Sequence, residues 1–370
     1  MPVQKLQISE FLLLMEEHPV FDVRSPGEYA HAHIPGAYSL PLFSDEERKT
    51  VGTAYKQQGK QKAIKHGLDF FGVKMKQMVE AVEEILALRQ KALRKKGNAG
   101  AKPDQHKSPV LVHCWRGGMR SAGVAWLLDL YGFEVYTLEG GYKAFRNMVL
   151  SQFEKDYAIK ILGGYTGSGK TELLEALQQK GEPVINLEQL AHHKGSAFGG
   201  IGQLPQPSQE MFENKLAMEL LAKTGNDDAG MQNCFWLEDE SQRIGIINIP
   251  HAFWKTMRTK PVYFIDIPFE ARLDFIESAY GKLEKEKLVN AIIRIQKRLG
   301  PLETKSTIGF LLEDNYREAF RILLAYYDKT YSKALHTREN IELLLNKIPL
   351  LAVDTIYNTE KLVSCATENT

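Results

Sequence analysis

The sequence predicts an α/β protein of two successive domains: a doubly wound parallel sheet, then a second α/β domain carrying a helical insertion. Three observations lead there. Short β-rich runs alternate with helical periodicity through the first 150 residues. A new apolar strand runs into glycines and then an amphipathic helix at residues 159–181. The length of 370 residues also exceeds what one hydrophobic core usually serves, roughly 250 residues.

In order, the first domain (1–150) offers a strand in PVFDV (19–23), a helix over Met75–Lys95, a strand in SPVLVHC (108–114), a helix from about Ser121 to Tyr131 and a strand in FEVYTL (133–138). Residues 42–72 are long and polar for an α/β connection, so they read as an inserted functional element. The second domain (151–370) opens with IKILGG (159–164) and TELLEALQQKG, a helix stopped at Gly181. Further strands are expected at 183–187, 234–238, 244–249, 261–267 and 349–354, and residues 269–345 space apolar residues three and four apart, a mainly helical region.

Composition narrows the function classes. The chain is 44% hydrophobic and 25% charged, and 47 basic against 46 acidic residues leave a net charge of +1, which predicts no polyanionic partner from bulk charge. A local basic run (Arg89, Lys91, Arg94, Lys95, Lys96, Lys102 and Lys107 against Asp104) reads as a solvated helix end and linker. Cys114, Cys234 and Cys365 lie too far apart for a disulfide framework or a compact zinc motif, which fits a reducing compartment. The N-terminus is unlike a signal peptide and no apolar run approaches the roughly 18 residues needed to span a bilayer. A cytoplasmic protein with no membrane partner is therefore expected; no oligomeric state is specified.

The first candidate site is VLVHCWRGGMRS. Cys114 ends a strand, and Gly117 and Gly118 let the loop curl so that its amides form an anion nest before the next helix. Such a field stabilises a thiolate, and Arg116 and Arg120 add charged donors for an oxyanion. An accessible Cys114 is expected. Cys234 reads as packing and Cys365 as incidental. The Cys-x5-Arg spacing also matches the protein phosphatase signature, with Asp22 or Asp104 as conceivable proton donors, and that alternative stays open.

The second is Gly164-Tyr-Thr-Gly-Ser-Gly-Lys-Thr171, a full Walker A motif between a strand and a helix, giving a P-loop NTPase-like domain. Gly164, Gly167, Ser168 and Gly169 shape a phosphate cradle, Lys170 neutralises phosphate oxygens and Thr171 can hold Mg2+. Glu238, Asp239, Glu240 and Asp266 stand where an acid completing the metal shell belongs; Asp239 is chosen with Thr171 for the metal, and Arg243 as a further phosphate contact. His192 and His193 line the cleft or pack. The motif specifies a diphosphate-like group more securely than it specifies ATP or GTP.

Two resemblances follow from these residues. VFDVRSPGEYAHAHIPGAYSLP, with Asp22, Arg24, Ser25, Glu28 and the stretch from His33 to Ala37, resembles a rhodanese domain, whose loop cysteine carries a transferred chalcogen; Arg120 here lies six positions after Cys114 rather than five, widening the loop. The ordered set CWRGGMRS, FSDEERKTVGTAYKQQG, GGYTGSGKTELLEAL, LEQLAHHKGSAFG and FWLEDESQRIG closely resembles the tRNA 2-selenouridine synthase family over nearly the whole chain. That resemblance implies a tRNA bearing 2-thiouridine at the wobble position as partner, geranyl diphosphate and selenophosphate as co-substrates, and a selenophosphate-supplying synthase upstream. It places Cys114 in selenium transfer or in displacement of the alkylated sulfur, Arg116 and Arg120 on selenophosphate, and the P-loop on geranyl diphosphate. Lys56, Lys60, Lys62, Lys65, Arg294, Lys297 and Arg298 are candidate tRNA backbone contacts. Two other classes compete: an ATP-dependent kinase or nucleotidase with a regulatory rhodanese-like domain, and a non-catalytic RNA-binding scaffold.

Overall fold

The computed structural model describes residues 3–95, 109–224, 234–281 and 283–368, and the chain divides into two compact units, Met1–Ser151 and Gln152–Thr370. Lys96, Lys102, Asp104 and Lys107 of the basic run lie outside the described residues.

The first unit holds strands β1 (Gln4–Leu6), β2 (Val20–Asp22), β3 (Tyr38–Ser39), β4 (Pro109–His113) and β5 (Glu134–Leu138). They form one sheet in the order β1-β5-β4-β2-β3 with every pairing parallel. The apolar run of β4 follows from its position between two neighbours: Val110 and Val112 enter a core with Val82, Val124 and Leu128, while Leu111, on the opposite face, is also fully buried. The helices Met75–Lys95 and Met119–Tyr131 agree with their expected periods, the second starting two residues early. The polar element 42–72 is two helices, Asp45–Gln58 and Lys60–Gly72, joined at Gly59. It is rooted in the sheet core through Leu42, Phe43 and Phe71.

The second unit has β6 (Ile159–Gly164), β7 (Val184–Ile185), β8 (Phe235–Glu238), β9 (Arg243–Ile244), β10 (Ile247–Asn248), β11 (Val262–Asp266) and β12 (Leu345–Pro349). Its main sheet runs β12-β11-β6-β8-β7, all parallel, with β6 at the centre. Two expectations are corrected. Residues 244–249 are no strand of the main sheet, because Gly245, at φ +63, folds them into the separate antiparallel ribbon of β9 and β10. The last strand ends at Pro349 instead of beginning there: Leu350 after it is buried in the sheet core, and the chain then bends at Leu351, which is 87% exposed. The helical region appears as Phe269–Tyr280, Lys285–Leu299, Pro301–Leu312, Tyr316–Leu335 and Ile341–Leu344, packed on its own core of Leu273, Leu288, Ile292, Leu311 and Leu323.

Burial sets what each leucine of one helix contributes. Leu128 is fully buried on Met119–Tyr131, whereas Leu130 on the same helix is 67% exposed. Leu128→Ala is expected to cost about 2–5 kcal/mol in urea unfolding, and Leu130→Ala about 0.5 kcal/mol or less. Equal losses would contradict the register of this helix on the sheet.

Candidate functional site

In a parallel α/β sheet, chemistry gathers where strands end at their carboxyl edge. Cys114 follows β4, and the helix after it begins at Met119. The loop between is locked by Gly141, from the chain after β5, which the sequence did not single out. Gly117 stands at φ +64 and Gly141 at φ +61; a Cβ on Gly117 would meet the Leu138 carbonyl at 2.6 Å, and one on Gly141 would meet the Gly117 amide at 2.4 Å. Close approach of two backbones is the physical signal there. The Tyr142 amide donates to the Cys114 carbonyl at 2.8 Å and the Lys143 amide to the Trp115 carbonyl at 3.0 Å, fastening the loop to the chain after β5.

The loop amides turn onto the sulfur. Burial pushes the Cys114 thiol up, but hydrogen bonds from Ser121, whose Oγ lies 3.2 Å from Sγ, and from the backbone amides of Ser121, Arg116 and Gly118 more than offset it, so the thiol sits below its ordinary value. Cys114 is only 3% exposed, in contrast to the open access expected from sequence. The reason is the same convergence: amides that cradle an anion enclose it, so the sulfur occupies the floor of the loop.

The arginines divide. Arg116 is exposed. Arg120 donates through Nη1 to Glu28 at 2.8 Å, and Glu28 also accepts from Arg48 at 2.8 Å. Burial raises the Glu28 carboxyl, yet the Arg120 hydrogen bond and charge and the Ser25 amide bring it down to about 2. Arg120 is therefore an ion-pair partner tying the loop helix to Pro26–His31, with part of its donor capacity already used. Beneath the loop, Arg24 pairs with Asp22 at 2.6 Å, donates to the Ala32 carbonyl at 2.7 Å and lies 3.8 Å from the Tyr142 ring centroid, all buried. Burial drives His113 down to about 4, and neither of its ring nitrogens has a hydrogen-bond partner, so it is neutral. Burial raises the Asp22 carboxyl, but the charge and hydrogen bonds of the buried Arg24 help bring it below its usual value, so Asp22 is ionised, which removes it as the leaving-group acid of the phosphatase alternative. Asp104 lies outside the described residues.

At the end of β6, Gly167 and Gly169 take φ +80 and +76 in the turn ahead of the helix Lys170–Gln179. Lys170 Nζ curls back to the Gly164 carbonyl at 2.8 Å, and Ser168 Oγ donates to the Tyr165 carbonyl at 2.7 Å. Two residues of the helical region that the sequence did not reveal hold this loop. The Gly164 amide donates to the Tyr331 hydroxyl at 3.2 Å. The buried Arg272 donates to the Thr166 carbonyl at 3.0 Å and forks onto Asp328 at 2.9 and 2.7 Å. The sequence distance between loop and helices, more than a hundred residues, left no local trace of either.

The metal choice is corrected. Asp239 accepts from Tyr331 at 2.6 Å and from Arg338 through both guanidinium nitrogens, so its carboxylate is consumed as an anchor. The acid within reach of Thr171 is Glu188, at 3.4 Å, whose amide donates to Glu238 at 2.7 Å. Arg243 is exposed and closes the β9–β10 ribbon by donating through Nε to the Gly245 carbonyl at 2.9 Å. His192, at φ 52, contacts the Pro205 carbonyl at 2.9 Å, and His193 packs beside Gly199 and Gly200, so both shape a loop. Cys365 packs on the sheet core.

Among the described residues no three His, Cys, Asp or Glu side chains are arranged to hold a metal ion. Magnesium needs less, since it keeps several waters and takes one or two carboxylates. Thr171 and Glu188 fit that demand, and the buried Glu238 Oε2, which lacks a hydrogen-bond partner, marks uncompensated acidity nearby. Burial, then the charge of Glu188, pushes Glu238 up to about 8. Folded Glu238 therefore keeps a proton that an unfolded glutamate, near 4.5, gives up. Its contribution to stability is full below about 4.5 and lost as pH rises through about 8. Urea midpoints measured from pH 5 to 9 should decline in the unmodified protein and decline less in Glu238→Gln; identical slopes would contradict the protonated state.

Comparison with known proteins agrees with this architecture. The rhodanese-like domain profile matches residues 7–148, and the profile described as the tRNA 2-selenouridine synthase AAA domain matches residues 157–347. A tRNA 2-selenouridine synthase of Bdellovibrio bacteriovorus is 32% identical over 96% of this chain and 97% of its own. Those of Nitrosomonas europaea (34%, covering 83% and 74%) and Shewanella piezotolerans (35%, covering 81% and 81%) are similar to it as well. Among the described residues no helix is long and apolar enough to cross a membrane. With both profiles matched in order and relatives this similar along most of its length, the chain is an enzyme of the transferase class and belongs to the tRNA 2-selenouridine synthase family.

Proposed function

We propose that this enzyme converts 2-thiouridine at the wobble position of tRNA to 2-selenouridine by S-geranylation and then selenation, in the cytoplasm and downstream of a synthase that supplies selenophosphate. The observation that carries this reading is the amide cradle around Cys114, a chalcogen of lowered pKa at the end of β4, in a chain that also holds a full phosphate loop.

The thiocarbonyl sulfur is a poor leaving group until alkylated. In the first stage that sulfur attacks C1 of geranyl diphosphate, the C1–O bond breaks and diphosphate leaves. Loop amides between residues 165 and 171 and Lys170 neutralise the departing charge; magnesium, held by Thr171 and Glu188, would add electrostatic stabilisation of the leaving diphosphate. In the second stage geranyl thiolate is displaced from ring carbon C2, the selenium of selenophosphate becomes bonded there, and water takes the phosphoryl group as phosphate, which leaves the selenocarbonyl. Cys114 acts in this stage in expelling the alkylated sulfur: its thiolate attacks C2 as geranyl thiolate leaves, and it departs again as thiolate when the selenium of selenophosphate attacks C2, while Arg116 and the loop amides hold the selenophosphate oxygens. Lys56, Lys60, Lys62 and Lys65 are exposed on the two helices of 45–72, and Arg294, Lys297 and Arg298 on Lys285–Leu299, where they suit contacts with an RNA backbone.

Nucleoside mass spectrometry of 2-thiouridine tRNA incubated with geranyl diphosphate and selenophosphate tests the assignment. Cys114→Ala should abolish selenium incorporation and leave most geranyl transfer. Lys170→Ala should lower geranyl transfer at least a hundredfold, on the order expected for losing one charged transition-state contact. Full 2-selenouridine formation by Cys114→Ala would reject the cysteine role. ATP hydrolysis that needs Lys170 and ignores Cys114 would favour a kinase or nucleotidase.

A further inference from the structure

The residue after the loop cysteine is a large aromatic left open to solvent. Trp115 keeps 37% of its surface exposed although it directly follows a residue that is 3% exposed. Its ring is fixed in place, 5.6 Å from Tyr142 and 5.9 Å from the Arg24 guanidinium, and its carbonyl is held by the Lys143 amide at 3.0 Å. Met119, at the start of the next helix, is 56% exposed. Arg116 and Lys143, both exposed, bring positive charge to the same loop. A soluble domain has no packing reason to leave an indole and a thioether uncovered on the rim of a reactive-thiol loop; together with two cations they match a polyanion that presents one flat apolar face.

An unstacked nucleobase is such a ligand. Proteins that act on a base within an RNA loop draw it from its stack and hold it against an aromatic side chain, because every base has a π-face. We infer that Trp115, the residue next to Cys114, is the stacking platform for the wobble base, with Met119 adding exposed apolar surface at the start of the following helix. The inference rests on the reading that Cys114 acts on tRNA. Trp115 is a positioning residue here: it orders the base and takes no part in bond making.

The test measures kcat and KM for 2-thiouridine tRNA in Trp115→Ala, Trp115→Leu and Trp115→Phe, with the iodoacetamide alkylation rate of Cys114 as a report on the loop. Loss of one base–aromatic stack should raise the tRNA KM about five- to 150-fold in Trp115→Ala, with a smaller change in kcat. Trp115→Phe should recover most of the loss and Trp115→Leu should not, while the alkylation rate stays at the unmodified value in all three. A tRNA KM unchanged in Trp115→Ala, with Cys114→Ala still inactive in selenation, overturns the platform and leaves the assigned reaction standing. Recovery by Trp115→Leu equal to that by Trp115→Phe overturns stacking in favour of plain apolar contact; this comparison also decides the matter if Trp115→Ala disturbs alkylation. Selenation untouched by Cys114→Ala removes the reaction on which the platform depends.

Discussion

The first unit is organised by one constraint: several backbone amides must point at a single sulfur. Polar N–H groups turned inward are costly unless an acceptor receives them, and Cys114 is that acceptor. The geometry needs two chain segments closer than any side chain allows, which is why Gly117 and Gly141 face each other with no room for a Cβ on either. The buried Asp22–Arg24 pair reaches the loop through the Tyr142 and Trp115 rings, so the loop is backed by charged groups that are themselves satisfied. Lowered pKa and near-complete burial are thus two results of one arrangement rather than opposing signals.

The second unit applies similar logic to a phosphate site. Its glycine loop does not stand alone on β6: Tyr331 accepts the Gly164 amide, Arg272 takes the Thr166 carbonyl, and Arg338 with Asp239 locks Tyr331 in place. Burial and the charge of Asp239 push the Tyr331 hydroxyl far up, so it stays a donor to that carboxylate. The helices between β11 and β12 therefore act as scaffolding for the loop as well as carrying a core of their own. The price of this is an acid cluster, Glu188, Glu238 and Glu240, whose charges repel one another in a partly dehydrated place and whose affinities for protons rise accordingly.

Much of this was legible in the sequence because its signals are local. Strand periods, the helices Met75–Lys95 and Lys170–Gln179, the cysteine loop between strand and helix, and the Walker A turn each depend on residues a few positions apart, where backbone sterics and side-chain alternation act directly. The order of motifs added the family. Where local pattern misled, an identifiable term intervened: Gly245 at positive φ broke an apolar run into a ribbon, and after Pro349 only Leu350 enters the core before the chain bends outward at Leu351.

Tertiary structure alone decided which charged residues are free to act. The sequence pointed to Asp239 as the metal acid and did not single out Glu188, yet Asp239 is claimed by Arg338 from 99 residues away and Glu188 is delivered to Thr171. Arg120 likewise meets Glu28 across 92 residues. A carboxylate or guanidinium has a few directional bonds to give, and folding assigns them between residues that sequence proximity does not connect. The sequence by itself determined the elements, the glycine turns and the chemistry available; the three-dimensional pairing of ions determined which of those groups remain for a substrate.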